Sequence, residues 1–448
     1  MNYAKTEHAE LARKISDRTA IVGVIGLGYV GLPLAINLHR AGFSVYGFDS
    51  DQAKIDALER GESYLAHMDD QAFVDLTESD DFYATSDMTE MNKVDVVISC
   101  VPTPLGPHRE PDLGFVIRSA QDIGRSLRAG MLIVLESTTY PGTTRLEFLN
   151  AMLEVAPGPF VLGEDIFVAY SPEREDPGRV SHQSAEVAKL VGGLDPTSGD
   201  LAERLYEAAY VKVIRVGSAE VAEAAKILEN VFRAVNIALV NELKVVFTDL
   251  GIDIWEVIEA ASSKPYGFMP FFPGPWLGGH CIPIDPFYLS WKAKEVGRPT
   301  QFIELAGMIN TQMPGYVIDR LAHALNDAGK PVKGSRVLVL GLAYKSNVTD
   351  TRESPTFELI EDLRGRGALV DYHDPLIPET IPTRRHDLGL QSVALTTESV
   401  AGYDAVLIAT VHDAMDLAVV ARHAQLVVDT RNAMKPFRSI VGDRLVSA

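Results

Sequence analysis

Short, continuous apolar runs recur through the first half of the chain, separated by stretches in which apolar residues follow helical spacing. The runs fall at residues 21–25, 43–49, 94–102, 131–138 and 166–173. Apolar runs without polar alternation are typical of strands that are buried on both faces of a parallel sheet. The pattern therefore predicts a doubly wound α/β domain over residues 1–213.

A long helix is predicted after this domain. Residues 216–251 contain no proline, and apolar residues recur there at helical spacing, including Leu228, Phe232 and Leu239. At 1.5 Å per residue, such a helix runs on the order of 50 Å. A rod of this length can join two domains.

The remainder of the chain returns to an α/β pattern. A Gly- and Pro-rich segment and further helical spacing follow the long helix, and strand-like runs resume from residue 333. We therefore expect an α/β fold with two doubly wound, Rossmann-like domains, at residues 1–213 and 326–448. The long central helix and a helical middle domain, residues 214–325, are predicted to join them.

Composition narrows the classes of partner. The formal net charge of −20 over 448 residues argues against general binding to nucleic acid or an anionic membrane, so we expect any bound phosphate to be small and held locally. Two cysteines do not make a disulfide framework, and the first 20 residues lack an apolar signal core. No apolar run approaches the roughly 20 residues that span a bilayer. A cytoplasmic protein without membrane insertion is predicted.

A nucleotide-binding turn is predicted after the first strand. Gly26, Gly28 and Gly31 form G-x-G-x-x-G between a strand and a helix, the context that this pattern requires. The glycines permit a tight turn, close approach of a pyrophosphate and close helix packing. Asp49 ends the next strand and is placed to accept hydrogen bonds from an adenosine ribose, which favours NAD over NADP.

The second α/β domain lacks this fingerprint. Its first turn contains Gly341 without further glycines, so we do not expect a second dinucleotide to bind there in the same way. Lys345 and Arg352 precede a helix start at Ser354 and Pro355, a good N-cap and first helical position. From these residues alone, an anion site and a solvated basic pair both remain open.

Four further residues carry candidate chemistry. Lys226 and Asn230 lie one helical turn apart, so they project from the same face, and Glu173 follows a strand-like run. Cys281 lies in GPWLGGHCIPIDP, where metal binding is disfavoured because neither C-x-x-C nor H-x-x-x-H spacing accompanies it. A packed thiol and a nucleophilic thiolate both remain as interpretations.

Ordered motifs along nearly the whole chain match one family. They are GVIGLGYVGLPLA, SCVPTP, ESTTYPGTT, YSPEREDPG, EAAKILENVFRAVNIALVNEL, PGPWLGGHCIPIDPFYL, GLAYKSNVTDTRESP and VVDTRN. With these motifs the chain resembles the UDP-glucose/GDP-mannose dehydrogenases, in particular those that oxidise UDP-N-acetylhexosamines. The resemblance implies NAD-dependent, four-electron oxidation of a sugar C6 hydroxyl to a carboxylate, in surface-polysaccharide precursor synthesis. It also implies a homodimer formed through the central helix.

The resemblance assigns roles to individual residues. Cys281 would capture the aldehyde as a thiohemiacetal, which is then oxidised to a thioester. Lys226 and Asn230 would stabilise oxyanion charge, and Glu173 would serve as acid or base in hydrolysis. The remaining implied catalytic residues are Asp285 and Thr138, both beside a water.

The resemblance also implies the binding residues. Those expected at NAD are Gly26, Leu27, Gly28, Tyr29, Val30, Gly31, Asp49, Lys54, Val101, Pro102, Thr103, Thr138 and Arg352. Those expected at the UDP-sugar are Glu173, Lys226, Asn230, Lys264, Phe272, Pro273, Gly274, Trp276, Gly278, Tyr344, Lys345 and Arg431.

At two positions that bear on the identity of the sugar, the sequence departs from the family pattern. Ile284 replaces the lysine usual in the UDP-glucose branch, and Trp276 stands where the N-acetylglucosamine branch more often has glycine. The resemblance predicts UDP-N-acetylglucosamine as the substrate, with UDP-N-acetylmannosamine, UDP-N-acetylgalactosamine and UDP-glucose as alternatives. From other classes, we also considered a nucleotide-sugar epimerase and a non-catalytic NAD-binding regulator. The absence of a Tyr-x-x-x-Lys pair at the expected place argues against the first.

Overall fold

The computed structural model describes residues 4–65, 70–106, 110–174, 187–277, 282–383 and 386–448. The chain divides into two compact units. The first comprises Met1–Glu229 with Phe287–Pro299, and the second comprises Asn230–Pro286 with Thr300–Ala448. The α/β class, the two sheets and the long helical middle are confirmed, while the predicted three-domain boundaries stay a prediction.

An eight-stranded sheet organises the first unit, in the order β3-β2-β1-β4-β5-β6-β7-β8. All pairs are parallel except β6 with β7, which is antiparallel. The predicted apolar runs form its central strands, which are buried on both faces. The strands are β1 (Ile21–Ile25), β2 (Ser44–Phe48), β3 (Phe82–Thr85), β4 (Val96–Ser99), β5 (Leu132–Leu135), β6 (Phe167–Tyr170), β7 (Lys189–Gly193) and β8 (Val213–Arg215).

Helices cover the sheet of the first unit. Their starts follow local capping chemistry: Asp195 accepts hydrogen bonds from the backbone N–H groups of Thr197 and Ser198 before a helix whose first residue is Pro196. These helices are α1 (Ala4–Ser16), α2 (Gly31–Arg40), α3 (Gln52–Glu59), α4 (Asp70–Thr77), α5 (Gly114–Arg125), α6 (Leu149–Glu154) and α7 (Pro196–Glu207).

The predicted long helix is α8, Ala219–Asp249, which has 31 residues and is about 46 Å long at 1.5 Å per residue. The division between the two units falls within it. In the second unit, a buried hydrogen bond of 2.8 Å runs from Asn241 Nδ2 of α8 to Asn310 Oδ1. Asn310 belongs to α11 (Gln301–Asp327), so this bond fixes the register of two long helices. Two shorter helices are α9 (Ile254–Ser262) and α10 (Asp285–Glu295).

A five-stranded parallel sheet lies in the second unit, in the order β10-β9-β11-β12-β13. Ser354 caps α12 as the sequence predicts, because its hydroxyl accepts a hydrogen bond from the N–H of Thr356. The strands are β9 (Arg336–Leu340), β10 (Leu369–His373), β11 (Ala405–Ile408), β12 (Val427–Asp429) and β13 (Leu445–Ser447). The helices are α12 (Pro355–Gly365), α13 (Thr397–Ala401), α14 (Leu417–His423) and α15 (Arg438–Val441).

In the described ranges, no helix is long and apolar enough to cross a bilayer. The cytoplasmic location stays a prediction.

A buried ion pair lies inside the first unit. Lys189 Nζ, at the start of β7, is 2.8 Å from Glu136 Oε2, just after β5, and both residues are buried. The Tyr206 hydroxyl donates a 2.5 Å hydrogen bond to the other oxygen of Glu136. Burial by itself lowers the pKa of Lys189, but the Glu136 carboxylate outweighs it and raises that pKa above its usual range. Lys189 is therefore charged at neutral pH.

We predict that Lys189→Met destabilises the first unit by about 3–5 kcal/mol, because it leaves the Glu136 carboxylate buried without its cation. Urea unfolding followed by circular dichroism measures the change. The double variant Lys189→Met/Glu136→Gln should recover part of the loss, since it removes both charges. A single variant with the midpoint of the parent protein would contradict the role given to the pair.

Candidate active site

The glycine turn lies between β1 and α2. Gly26 has φ of +88°, a conformation open mainly to glycine. A Cβ atom added at Gly31 would lie 1.9 Å from the Gly26 carbonyl oxygen, so only glycine permits this approach of α2. In contrast, no atom of the described structure lies within 4 Å of a Cβ added at Gly28. The turn therefore leaves free space at the position where a G-x-G-x-x-G turn binds a pyrophosphate.

Asp49 follows β2 and is buried. Its Oδ2 atom accepts hydrogen bonds from the Leu27 N–H at 2.9 Å and from Lys54 Nζ at 2.8 Å, and its Oδ1 atom accepts one from the Asp51 N–H. Each carboxylate oxygen has two lone pairs, so Oδ1 keeps acceptor capacity for a ribose hydroxyl. Asp49 thus holds the glycine turn in place, a function that the spacing alone did not indicate.

Other predicted NAD residues lie at the carboxyl ends of neighbouring strands. Val101 and Thr103 follow β4, and the carbonyl of Val101 accepts a 2.7 Å hydrogen bond from the Ser137 hydroxyl after β5. The Thr103 carbonyl accepts a hydrogen bond from Tyr288. Because β2, β1, β4 and β5 are adjacent, the sheet brings these loops to one edge. Tyr29, Val30, Pro102 and Thr138 lie in the same loops and are partly or fully exposed.

Glu173 and Lys226 are brought together in the first unit. Glu173 follows β6, and its Oε2 atom lies 3.9 Å from Lys226 Nζ on α8. The next residue, Arg174, forms a 2.6 Å ion pair with Glu229, also on α8. Two successive residues of the β6 loop are therefore held to one face of α8. Sequence reasoning missed the second pair, although Glu229 lies three residues after Lys226, on the same side of the helix.

Asn230 and Asp285 are brought together in the second unit. Asn230 Nδ2 donates a 2.6 Å hydrogen bond to Asp285 Oδ2, and both residues are buried. Asp285 is the first residue of α10. Cys281 and Gly278 lie outside the described residues.

The predicted substrate loop contacts three parts of the second unit. The Gly274 N–H donates to Asn241 Oδ1 at 3.0 Å, and a Cβ added at Gly274 would lie 2.5 Å from an Arg431 guanidinium nitrogen. Burial lowers the pKa of Arg431 to about 10, so its guanidinium stays charged at neutral pH. The ring of Phe272 stacks on Trp255 with centroids 5.8 Å apart.

The other predicted members of this loop differ in exposure. Pro273 is buried, Trp276 is partly buried, and Lys264 is exposed with its Nζ atom 5.1 Å from the Tyr266 ring centroid. The structure thus brings Gly274 and Arg431 together, while Lys264 is engaged with its own local aromatic residue.

The first turn of the second sheet carries Tyr344 and Lys345, both partly buried. The Tyr344 N–H donates to the Asp350 carbonyl, and the Arg352 guanidinium makes 2.8 and 2.9 Å hydrogen bonds to the Asp350 carboxylate. This pairing fixes the loop before α12. The predicted contact of Arg352 with NAD stays a prediction.

The fold and these groups define a dehydrogenase class that uses a nucleotide cofactor and a nucleotide-linked substrate. The NAD binding domain of the UDP-glucose/GDP-mannose dehydrogenase family matches residues 20–210. The central domain of that family matches residues 220–312, and its UDP binding domain matches residues 338–436. The chain belongs to this family and is an NAD-dependent UDP-sugar dehydrogenase. The predicted cofactor, NAD, is thereby confirmed.

Individual relatives differ in the sugar that they are named for. The chain is 36% identical over 392 residues to UDP-N-acetyl-D-glucosamine 6-dehydrogenase of Pseudomonas aeruginosa, covering 87% of this chain and 90% of the relative. It is 33% identical to UDP-N-acetyl-D-mannosamine dehydrogenase of Pyrococcus horikoshii, covering 92% and 96%. A solved structure of a UDP-D-ManNAc dehydrogenase from Pyrococcus horikoshii matches with a TM-score of 0.83 and 29% identity, covering 95% and 98%.

We predict that Gly28→Ala weakens NAD binding at least tenfold without lowering the melting temperature. The added methyl group meets open space in the protein but would occupy the position expected for the pyrophosphate. Calorimetric titration with NAD+ and a thermal melt measure the two effects.

Gly31→Ala is the matched control for the glycine turn. Its methyl group collides with the Gly26 carbonyl, so this variant should lower the melting temperature itself. Unchanged NAD affinity in Gly28→Ala would show that the pyrophosphate does not approach the turn there.

Proposed function

We propose that this enzyme oxidises the C6 hydroxyl of UDP-N-acetylglucosamine to the carboxylate, in the cytoplasm, for surface-polysaccharide precursor synthesis. Support for this sugar comes from the 36% identical P. aeruginosa relative and from the segment KPYGFMPFFPGP, which resembles the N-acetylglucosamine branch. The observation that carries the chemistry is the set of polar contacts around α8: Glu173 with Lys226, and Asn230 with Asp285.

The proposed reaction balances with two NAD+ and one water. The first oxidation transfers a hydride from C6 to NAD+ and releases a proton, which gives an aldehyde. The Cys281 thiol adds to that aldehyde to give a thiohemiacetal. This adduct has a carbinol hydrogen to donate to the second NAD+, which the aldehyde lacks. A second hydride transfer, to the second NAD+ and with release of the hydroxyl proton, gives a thioester, and water cleaves its carbon–sulfur bond to release the acid and the thiol.

Lys226 and Asn230 are proposed to stabilise negative charge on the C6 oxygen. Both side chains are buried, so their positive charge and N–H dipole act in a medium of low dielectric constant. A lysine ammonium donates up to three hydrogen bonds, so contact with Glu173 leaves donors for a substrate oxygen. We propose that Glu173 exchanges protons with the water that cleaves the thioester, and that Asp285 and Thr138 position a water beside Lys226.

The substrate is proposed to contact the Phe272–Gly274 segment, Trp276, Gly278 and Lys264 together with Tyr344, Lys345 and Arg431. The support is chemical: Arg431 packs against Gly274, and its guanidinium geometry suits a diphosphate. For NAD, we propose contacts from the glycine turn, Asp49 and Lys54, the loop of residues 101–103, Thr138, and Arg352.

UDP-N-acetylmannosamine is the second candidate. The 33% identical relative from P. horikoshii carries that name and aligns with 92% of this chain. Trp276 supports keeping this alternative, because a partly buried indole in the substrate loop changes the shape available to the sugar.

We also propose a homodimer formed through α8. In the second unit, Phe232, Leu239 and Val246 are spaced by seven residues and are about half exposed, which gives an apolar stripe along one side of the helix. A stripe of this kind on a long helix is suited to packing against its own copy.

We predict that Leu239→Glu converts the dimer to a monomer, raising its dissociation constant at least roughly tenfold, because a carboxylate would be buried in an apolar interface. Sedimentation velocity measures the distribution. Val211→Glu places the same charge at an apolar residue that is 80% exposed in the first unit, so this control should remain dimeric. A dimeric Leu239→Glu protein would place the interface elsewhere.

The sugar assignment is tested with a panel of UDP-sugars and NAD+. We predict that UDP-N-acetylglucosamine has the highest kcat/KM, and that each sugar oxidised yields two NADH and a product with one oxygen more and two hydrogens fewer. Absorbance at the NADH band and mass spectrometry measure the ratio and the product. A higher kcat/KM for UDP-N-acetylmannosamine would move the assignment to the second candidate.

The two cysteines provide the control for the chemistry. Cys281→Ser should abolish formation of the acid, whereas Cys100→Ser should keep the ratio of two NADH per sugar. Burial raises the pKa of Cys100 well above its usual value, so its thiol is a poor nucleophile. Full acid formation by Cys281→Ser would rule out the thioester.

A further inference from the structure

The second unit contains a cavity whose described lining includes none of the residues assigned above. Its volume is about 370 Å³, within the range of small-molecule sites. Lys244 of α8, Arg320 of α11 and Arg438 of α15 contribute basic groups, and Ser447 of β13 and Asp253 contribute oxygens. The described part of the lining therefore carries three basic groups and one carboxylate, in a chain whose formal net charge is −20.

Two of the basic groups have unusual hydrogen bonding for buried cations. Lys244 is 1% exposed, and its Nζ atom donates a 2.6 Å hydrogen bond to Ser447 Oγ, a neutral acceptor. The buried Nε atom of Arg320 has no hydrogen-bond partner among the described residues. A buried guanidinium N–H without an acceptor is costly, so such groups are normally satisfied by a ligand or by water.

The acidic groups near the cavity are largely engaged elsewhere. Asp253 accepts a 2.5 Å hydrogen bond from Arg438 and caps α9 through the Trp255 N–H. The nearby Asp429 accepts hydrogen bonds from the N–H groups of Arg431 and Met434. Among the described residues, Lys244 therefore donates to a hydroxyl and not to a carboxylate, and the Arg320 Nε atom has no acceptor.

We propose that this cavity is a second phosphate-binding site, which takes a small phosphorylated molecule with a diphosphate or comparable dianionic group. The Arg320 and Arg438 guanidinium groups supply the forked donors that suit phosphate oxygens, and Lys244 adds a point charge at the cavity wall. Gly251 and Gly442 leave the rim open, because no described atom lies within 4 Å of a Cβ added at either.

Two paths connect this site to the substrate loop within the second unit. Lys244 lies three residues after Asn241 on α8, and Asn241 accepts the hydrogen bond from Gly274. Asp253 caps the helix that carries Trp255, whose ring stacks on Phe272. A ligand that moves Lys244 or Asp253 therefore acts on Asn241 or Trp255, the two residues that contact the substrate loop. The resulting effect on turnover rests on the proposed function.

The affinity of this site should fall as pH rises. The pKa of Lys244 is lowered to about 8, mainly by burial and to a smaller extent by the nearby Arg320, while the Asp253 and Asp429 carboxylates oppose this shift. Arg438 also faces the cavity and contributes a guanidinium group. Above pH 8 the lysine loses its proton and with it the attraction for an anion, so binding weakens between about pH 7 and pH 9.

The test is calorimetric titration of the full-length protein with inorganic pyrophosphate, without NAD+ or sugar. Lys244→Met should weaken binding about tenfold or more, since a charged hydrogen-bonding group is lost. Lys345→Met, at the proposed UDP-sugar site, and Lys435→Met, an exposed lysine paired with Glu259, should keep affinity within about twofold.

Arg320→Gln is the second variant, and it should also weaken binding if Lys244→Met fails to fold. Equal affinity in Lys244→Met or Arg320→Gln and the parent protein would overturn the proposal, as would loss of binding in Lys345→Met. Because the readout is binding, it does not depend on which sugar is oxidised. Inactivity toward every UDP-sugar with intact Lys244-dependent binding would refute the proposed function alone.

Discussion

A buried hydrogen bond between Asn230 and Asp285 is the interaction on which the candidate active site depends. It joins α8 to the first residue of α10, and it forms at 2.6 Å between side chains that are almost completely buried. A buried carboxylate is costly unless a donor satisfies it, so the bond restrains the chain immediately after residues 278–281. One turn earlier on the same helix lies Lys226, with Glu173 beside it. Lys226 and Asn230, which are proposed to act on the same oxygen, are thus one helical turn apart on α8.

In each of the two sheets, a buried aspartate fixes the first turn, but the other partners of the two aspartates differ. Asp49 accepts a hydrogen bond from the Leu27 N–H after Gly26, and Asp374 accepts one from the Leu342 N–H after Gly341. Asp374 also contacts His412 Nε2 at 3.0 Å, and both are fully buried. Burial would raise the pKa of Asp374, but this hydrogen bond helps to hold it below its usual value. A histidine thus occupies the oxygen that corresponds to the one holding Lys54 in the first sheet, which gives the second turn a different surface from the NAD turn.

Much of the fold followed from the sequence because the relevant signals are local. Continuous apolar runs identified the central strands, helical spacing identified α8, and the glycines and Ser354 marked turns and a cap. The pairings between distant residues did not follow. Lys189 meets Glu136 from 53 residues away, and Arg174 meets Glu229 from 55. No periodicity encodes such contacts, because they depend on which strands and helices become neighbours.

In the candidate site, too, the residues could be predicted from the sequence but their pairings could not. Residue types and motif order predicted Lys226, Asn230, Glu173 and Asp285, but not that they form two pairs along α8. Lys54 was expected at the cofactor, and its ion pair with Asp49 adds a function in holding the glycine turn. No sequence pattern indicated the charged cavity around Lys244, because its basic groups come from three separate helices.

The proposed oxidation passes through a carbon–sulfur bond at Cys281. The direct measurement is peptide mass spectrometry after rapid denaturation of the Glu173→Gln variant during turnover with NAD+ and an oxidisable UDP-sugar. We predict that the peptide with Cys281 gains the mass of the sugar nucleotide less four hydrogens, while the peptide with Cys100 is unmodified. Steady release of acid without any adduct on Cys281, in this variant and in the parent enzyme, would contradict it.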